Sequence, residues 1–424
     1  MRGAGHSGKR GTSWRAGLTG ALVRLGFVVG LAALILAVAA GVQLARDVPP
    51  ARASVDVPVG LALPGRPAPL PWPTKGAAAL EIEGVAYLGG VNTEEVRPLA
   101  SVTKLITALV LLKHHPLALG QQGPTFTITA AEAATYAPDV AQNQSVVRVV
   151  AGEQLTELQG LEAMLIPSAD NVARFMAVWD AGSLSAFIAD MNSEAASLGL
   201  RHTHLTDPSG LDAGSVGTAS DMLRLAEAVM SQPVLRRIVA MPQVTLPVAG
   251  TVYNYDSVLG HDGIIGIKTG STVPAGGNFV FAATRHWHGR ALTIIGAVLG
   301  AAGAQPLASA LSTSEQLSAA ALSDITQAPV LGPGKTMVRV STAWGSTTSA
   351  KTAGSASFTA VPGTKVQVRF QRLAPLSQGD FSSWYPGERV GVLHLSAGLQ
   401  SASVPVIATG RLSGAPLSWR LSRF

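Results

Sequence analysis

The chain has 424 residues, 47% hydrophobic and only 13% charged, with a formal net charge of +6, so it is long enough for two domains plus a membrane segment. It contains no cysteine, which excludes disulfides, thiol nucleophiles and thiolate metal sites and leaves a hydroxyl, carboxylate or amine as the available nucleophile. The positive balance suits an anionic surface such as a membrane or cell wall, whereas nucleic acid is not implied because no zinc-ligand spacing or basic helix accompanies it.

In chain order, residues 25–45 form an uncharged apolar run of 21 residues, which as a helix rises about 30 Å and matches the hydrocarbon core of a bilayer. Arg2, Lys9, Arg10, Arg15 and Arg24 precede it without an acidic residue, so residues 1–24 read as a basic cytoplasmic segment and everything after Arg46 as extracytoplasmic. The alternative is a signal peptide cleaved near Ala51-Arg52-Ala53, whose apolar region would exceed the usual ~7–15 residues and whose removal would release a secreted protein. Residues 46–76 are rich in proline and lack a helical period. They read as a semi-rigid, extended spacer.

From Ala77 to about residue 325 the pattern is that of an α+β domain. AAALEIEGVAYLGG reads as one or two strands, and residues 130–240 are mostly helical with apolar residues at three-to-four spacing. VTLPV, GIIGIKTG, GNFVFAATR and ALTIIGAVLG are strands of one antiparallel sheet, and a helix over 304–323 closes the unit. Residues 331–424 alternate over MVRVSTA, KVQVRF, ERVGVLHLS and VPVIATG between Gly, Pro and Ser turns, which predicts a small all-β domain. Its terminal PLSWRLSRF reads as the last strand, and its tryptophans and Tyr385 as core filling. It carries ten Lys or Arg residues against Asp380 and Glu388, so its surface is cationic.

The chemistry concentrates in three short motifs. In PLASVTKLITAL, Ser101 stands three residues before Lys104, on the same face of a helix, so the amine can reach the hydroxyl without any long-range contact. The bland reading is that Ser101 caps the helix and Lys104 faces solvent. IPSADN adds Ser168, Asp170 and Asn171, and IGIKTGS adds Lys268, Thr269, Gly270 and Ser271. Ser-x-x-Lys, Ser-Asp-Asn and Lys-Thr-Gly in this order mark serine acyl-transfer enzymes and favour the chemical reading. A free lysine has a pKa of about 10.4, and a base must lose that proton; burial and the neighbouring cation Lys268 supply the shift. The pairs His202 with His204 and His286 with His288 lie near turns without a carboxylate set, so no metal and no cofactor is expected. Asp207 and Asp212, beside Pro208 and Gly210, read as turn residues.

Through these motifs and the stretch TDPSGLDAG before TASDM, residues 77–300 resemble the D-alanyl-D-alanine carboxypeptidases, low-molecular-mass penicillin-binding proteins of the S11 serine peptidase family. The resemblance implies a β-lactamase/transpeptidase-like fold, with a helical cluster on a five-stranded antiparallel sheet. It implies removal of the last D-alanine of the peptidoglycan stem peptide through an acyl-enzyme on Ser101, and acylation by β-lactams. Ser168 then relays a proton to the leaving amine, Lys268 and Thr269 hold the substrate carboxylate, and the amides of Ser101 and Ser271 form the oxyanion hole. Gly270 leaves room for a peptide along the strand edge. The family pattern is Ser-x-Asn, but position 170 is aspartate and asparagine follows at 171. Either Asp170 weakens the lysine's activation, or Asn171 takes the role by a one-residue shift. Two other readings stand beside the carboxypeptidase: a β-lactamase, for which no Glu-x-x-Leu-Asn follows the second motif, and a catalytically weak wall-binding scaffold.

Overall fold

The central sheet pairs strands that lie more than two hundred residues apart in the chain, with Ile294 opposite Ile82. The structure, a computed structural model, describes residues 13–373 and 384–423, with side chains from residue 23 onward; most of the basic N-terminal segment lies outside the described side chains. A helix, α1 (Ser13–Ala45), is followed by β1 (Arg52–Val55), β2 (Gly60–Ala62), β3 (Ala77–Ile82) and β4 (Ala86–Val91). A 3₁₀ turn over Ala100–Thr103 runs directly into α2 (Lys104–His114). The helical cluster continues with α3 (Glu157–Leu165), α4 (Asp170–Ala181), α5 (Leu184–Ser197) and α6 (Ala219–Ser231). The chain then returns through β5 (Ile264–Thr272), β6 (Gly276–Trp287) and β7 (Arg290–Ala301) before α7 (Pro306–Ala320).

The sheet order is β5-β6-β7-β3-β4, antiparallel throughout. Alternation assigns the two faces of β3 to different cores. Ala77 and Ala79 pack against the helical cluster, whereas Ala78, Leu80 and Ile82 meet Ala310, Leu311 and Leu317 of α7. Small side chains on the first face let the cluster sit close to the strands. The helix α2 is buried from Lys104 to Leu112, so it is the central rod of the cluster rather than an amphipathic surface helix. Local signals set the neighbouring starts: Thr156 and Gln159 form a capping box before α3, and Thr218 caps α6.

The C-terminal strands β8 (Thr336–Ser341), β9 (Thr347–Thr352), β10 (Lys365–Arg372), β11 (Arg389–Ala397) and β12 (Gln400–Ala408) form a second sheet. Here the structure corrects the reading of residues 46–76 as a semi-rigid, extended spacer without a place in a sheet. The full order is β1-β8-β9-β12-β11-β10-β2, so two pieces of the Pro-rich segment close opposite edges of this sheet. A flat seven-stranded sheet would separate its edges by about 29 Å, yet the short link from Val55 to Gly60 spans at most about 18 Å. The sheet is therefore curled toward a barrel, and its edges are the very short strands β1 and β2. A second correction concerns the tail: PLSWRLSRF is not a strand but contains a one-turn helix, α8 (Leu417–Leu421), packed on the end of α1. Core filling holds for Trp384, which is buried, but not for Trp344 and Trp419, which are paired outside the core, nor for Tyr385, which is exposed beneath Arg411.

Glu157, the first residue of α3, is fully buried, and neither carboxylate oxygen has a hydrogen-bond partner among the described residues. Burial, and secondarily the charge of Asp180, raises its pKa from 4.5 to about 7. The folded state thus holds a proton that the unfolded chain releases, and stability declines as pH rises from 4.5 to about 7. Glu157→Gln should flatten that part of the Tm-against-pH curve; an unchanged slope would mean that the carboxyl is solvated.

Candidate active site

Ser101 lies in the 3₁₀ turn, not in a capping position, and no side-chain cap forms there. Ala100 just before it has φ 48°, a conformation that costs a non-glycine residue about 1–3 kcal/mol and persists only where packing enforces it. Three neighbours do so. Asn278 of β6, fully buried, donates to the carbonyls of Pro98 and Leu99 at 3.0 and 2.9 Å and accepts from Gly300 N. Gly270 of β5 lies so close that a Cβ there would stand 2.9 Å from Ser101 N and 3.0 Å from Leu99 O. Gly210 packs beneath, where a Cβ would overlap the Ala100 carbonyl. The nucleophile turn itself therefore requires glycine at 270.

Lys104 is 0% exposed, contrary to a solvent-facing lysine, and its Nζ donates three hydrogen bonds: to Ser101 Oγ at 2.9 Å, Asp170 Oδ1 at 2.6 Å and Ser209 O at 2.9 Å. These match the three N–H donors of an ammonium. A neutral amine could keep two of them and turn its lone pair to Ser101. The Ser209 carbonyl is aimed by the turn that Asp207 organises, since its carboxylate accepts from the amides of Ser209, Gly210 and Leu211. Asp207 thus has the turn role read from the sequence, and that turn carries one of the lysine's acceptors.

The second motif divides into three tasks. Ser168, with φ 63°, is buried, and its Oγ has no hydrogen-bond partner among the described residues; a strained, unsatisfied hydroxyl is a feature of functional sites. Asp170 meets Lys104 and also accepts from Ser145 N at 3.1 Å. Asn171 points elsewhere: it is fully buried and bonded to the Val147 backbone through both ends of its amide. The one-residue shift does not occur, so the position facing the lysine is a carboxylate. An anion 2.6 Å away favours the ammonium form and opposes proton uptake from Ser101.

Lys268 is almost completely buried on the edge strand β5, and among the described residues its one hydrogen bond goes to the Thr269 carbonyl at 3.1 Å. Burial first, and the charge of Lys104 second, lower its pKa to about 7, against the opposing pull of Asp170 and Asp256. Thr269 is buried beside it, whereas Ser271 is exposed on the same edge. Ser101, Lys104, Asp170, Lys268 and Gly270 are therefore gathered at one place, with Asn171 outside it. Asn278, Ser209 and Ser145 were missed from sequence. The one available signal was Asn278, a lone amide inside the apolar run GNFVFAA.

A hydroxyl bonded to a buried lysine three residues on, beside a second lysine on an open sheet edge, defines a serine acyl-transfer enzyme. Residues 75–303 match the profile of the D-alanyl-D-alanine carboxypeptidase family. The chain belongs to that family, S11, whose members are serine carboxypeptidases that act on peptidoglycan and bind penicillin. It is 32% identical over 242 residues to a D-alanyl-D-alanine carboxypeptidase of Mycobacterium tuberculosis, covering 54% of this chain and 77% of the relative. It is 30% identical over 221 residues to one of Streptomyces sp. strain K15, covering 48% and 72%. The crystal structure of the Streptomyces K15 DD-transpeptidase superposes with a TM-score of 0.52 at 26% identity over 60% of this chain and 100% of that one. Penicillin-binding protein 5 of Haemophilus influenzae gives 0.57 at 19% identity over 82% and 100%, a likeness of fold.

Gly270→Ala should lower acylation by a labelled penicillin by about 100-fold, because a displacement of even 1 Å at a nucleophile costs that order. The fold should remain, with Tm lowered by a few degrees at most; normal acylation would remove the close approach from the account.

Proposed function

We propose that the chain removes the terminal D-alanine of peptidoglycan stem peptides, with Ser101 as nucleophile, Lys104 as its base and Ser168 as the proton relay. Ser101 Oγ attacks the penultimate D-alanine carbonyl while its proton passes to Lys104, and the oxyanion forms against the amides of Ser101 and Ser271. C–N cleavage releases D-alanine, whose amine takes a proton through Ser168. Water then attacks the Ser101 ester and regenerates the hydroxyl. Lys268, with Thr269, faces the substrate's terminal carboxylate, and Gly270 keeps the strand against the nucleophile turn.

The observation that supports this reading is the 2.9 Å contact between Lys104 Nζ and Ser101 Oγ, with the other two amine hydrogen bonds already committed to Asp170 and Ser209. Only the lone pair of the neutral amine is then left for the serine proton. The test is release of D-alanine from a peptide ending in D-Ala-D-Ala, measured beside intact-mass detection of a penicillin adduct. Ser101→Ala should abolish both; adduct formation without Ser101 would overturn the assignment. β-Lactams act here as acylating inhibitors, and fast penicillin turnover would instead favour a β-lactamase.

The Asp170–Lys104 ion pair favours a second reading, a slow enzyme that serves mainly as a wall-bound scaffold. Asp170→Asn separates the two readings: removal of the opposing charge should raise the acylation rate about tenfold at neutral pH, the effect of roughly one unit of differential stabilisation. A rate that falls would make the carboxylate part of the machinery.

Lys268 carries its charge below about pH 7 and loses it above. Affinity for a carboxylate-ended peptide should therefore weaken as pH rises through about 7, seen as a rising KM, and Lys268→Arg should remove that dependence. A KM that stays flat in the parent chain would exclude Lys268 from carboxylate binding.

The enzyme works outside the cytoplasm, tethered by α1. The segment Val23–Ala45 is long and apolar enough to cross a bilayer.

A further inference from the structure

The end of α1 is not free. Its last carbonyls lack intrahelical donors, and the tail supplies them: Arg420 donates to Leu44 O at 2.9 Å, and Arg423 to Gln43 O at 3.2 Å and Arg46 O at 3.1 Å. Gln43 answers with a 2.6 Å bond to Arg423 O. Cations at a helix C-terminus are also favoured by its dipole. The β domain is thereby fastened to the point where the apolar helix ends, and its height above that plane is fixed.

Next to this junction stand two tryptophans. Trp419 of α8 meets Trp344, from the β8–β9 turn, edge to face at 5.5 Å, and Arg423 lies over the Trp419 ring. Trp344 is tied to the tail by its bond to Ser413 O at 2.7 Å. Tryptophan at the end of a spanning helix belongs to the headgroup layer of a bilayer. Beginning a few residues from Trp344 is a groove of about 800 Å³ across β1, β8 and β9, floored by Arg52, Arg339, Ser54, Ser341, Ser349 and Thr409. The register places Arg52 opposite Ser341, and Arg339 opposite both Ser54 and Ser349, so both arginines and the hydroxyls share the outer face. Unlike Arg420 and Arg423, which are committed to backbone carbonyls, these two guanidinium groups have no hydrogen-bond or ion-pair partner among the described residues.

We propose that this face of the β domain rests on the outer leaflet: the Trp344–Trp419 pair seats in the headgroup layer, and the groove bearing Arg52 and Arg339 takes anionic lipid phosphates. The proposal rests on α1 being a retained anchor. Arginine forks match phosphate oxygens, and a basic residue near an anionic leaflet adds to the attraction.

The test uses the full chain in vesicles of phosphatidylcholine alone or with phosphatidylglycerol. Amide exchange over residues 52–62, 336–349 and 411–423 should slow by roughly tenfold with the anionic lipid. Arg52→Ala with Arg339→Ala should abolish the difference, while Arg52→Lys with Arg339→Lys keeps most of it. D-alanine release from a soluble peptide should be the same in all variants, and unchanged exchange in β11 would show that the domain remains folded. Equal exchange in both vesicles would overturn the proposal. So would the same protection produced by soluble polyglycerol phosphate over neutral vesicles, which would assign the groove to a wall polymer. Alkaline carbonate washing separates the underlying reading: a chain released by it is not anchored, whereas a retained chain without lipid dependence refutes the docking alone.

Discussion

The structure turns on one buried ammonium. A charge held at 0% exposure inside a helical cluster costs several kcal/mol unless it is paired and fully hydrogen-bonded. Lys104 meets that requirement by drawing an acceptor from each of three segments: the turn before α2, the first turn of α4 and the loop over 206–214. None of the three is positioned by local sequence alone. The loop presents the Ser209 carbonyl because Asp207 gathers its amides and Thr107 of α2 holds the Pro208 carbonyl at 2.7 Å. Stability of the cluster and geometry of the nucleophile are therefore the same set of contacts.

Two non-glycine residues with positive φ, Ala100 and Ser168, stand one position before Ser101 and two before Asp170. Each strain is maintained by a buried amide that never touches the lysine. Asn278 binds the chain on the approach to Ala100, and Asn171 pins the start of α4 to Val147 just after Ser168. These amides are satisfied, which makes them firm. The hydroxyl of Ser168 is left unsatisfied, which makes it available.

What could be read in the sequence was what depends on short range. Ser101 and Lys104 are three residues apart, so their meeting is a short-range one even though distant residues hold the 3₁₀ turn that carries Ser101, and the apolar runs of β6 and β7 announce a sheet. The choice between Asp170 and Asn171 was not legible, because adjacent residues on a helix start are separated by about 100° and only the distant Val147 decides which one faces inward. Gly270 was identified, but its neighbour Ser101 lies 169 positions away. The strand character of residues 52–62 was hidden by proline, which sheets tolerate on edges, and both strands are edges. The tail was misread because a five-residue helix carries too few periods to distinguish it from a strand.

The electrostatics of the site follow from the aspartate at 170. With an asparagine there, two buried lysines would face each other without that carboxylate, and their repulsion would add to burial in discharging one of them. Asp170 neutralises Lys104, and the depressed basicity appears on Lys268 instead. On the proposed roles, a substrate carboxylate arriving at Lys268 favours its charged form. A fully charged Lys268 in turn repels charge on Lys104, so the substrate itself pushes the base toward the neutral state that can accept the Ser101 proton. The carboxylate terminus of the peptide then contributes to the acylation step as well as to binding, which is the use of remote binding energy that raises kcat rather than only lowering KM. A peptide with an amidated terminus would lose both, and the split between them measures how strongly the two lysines are coupled.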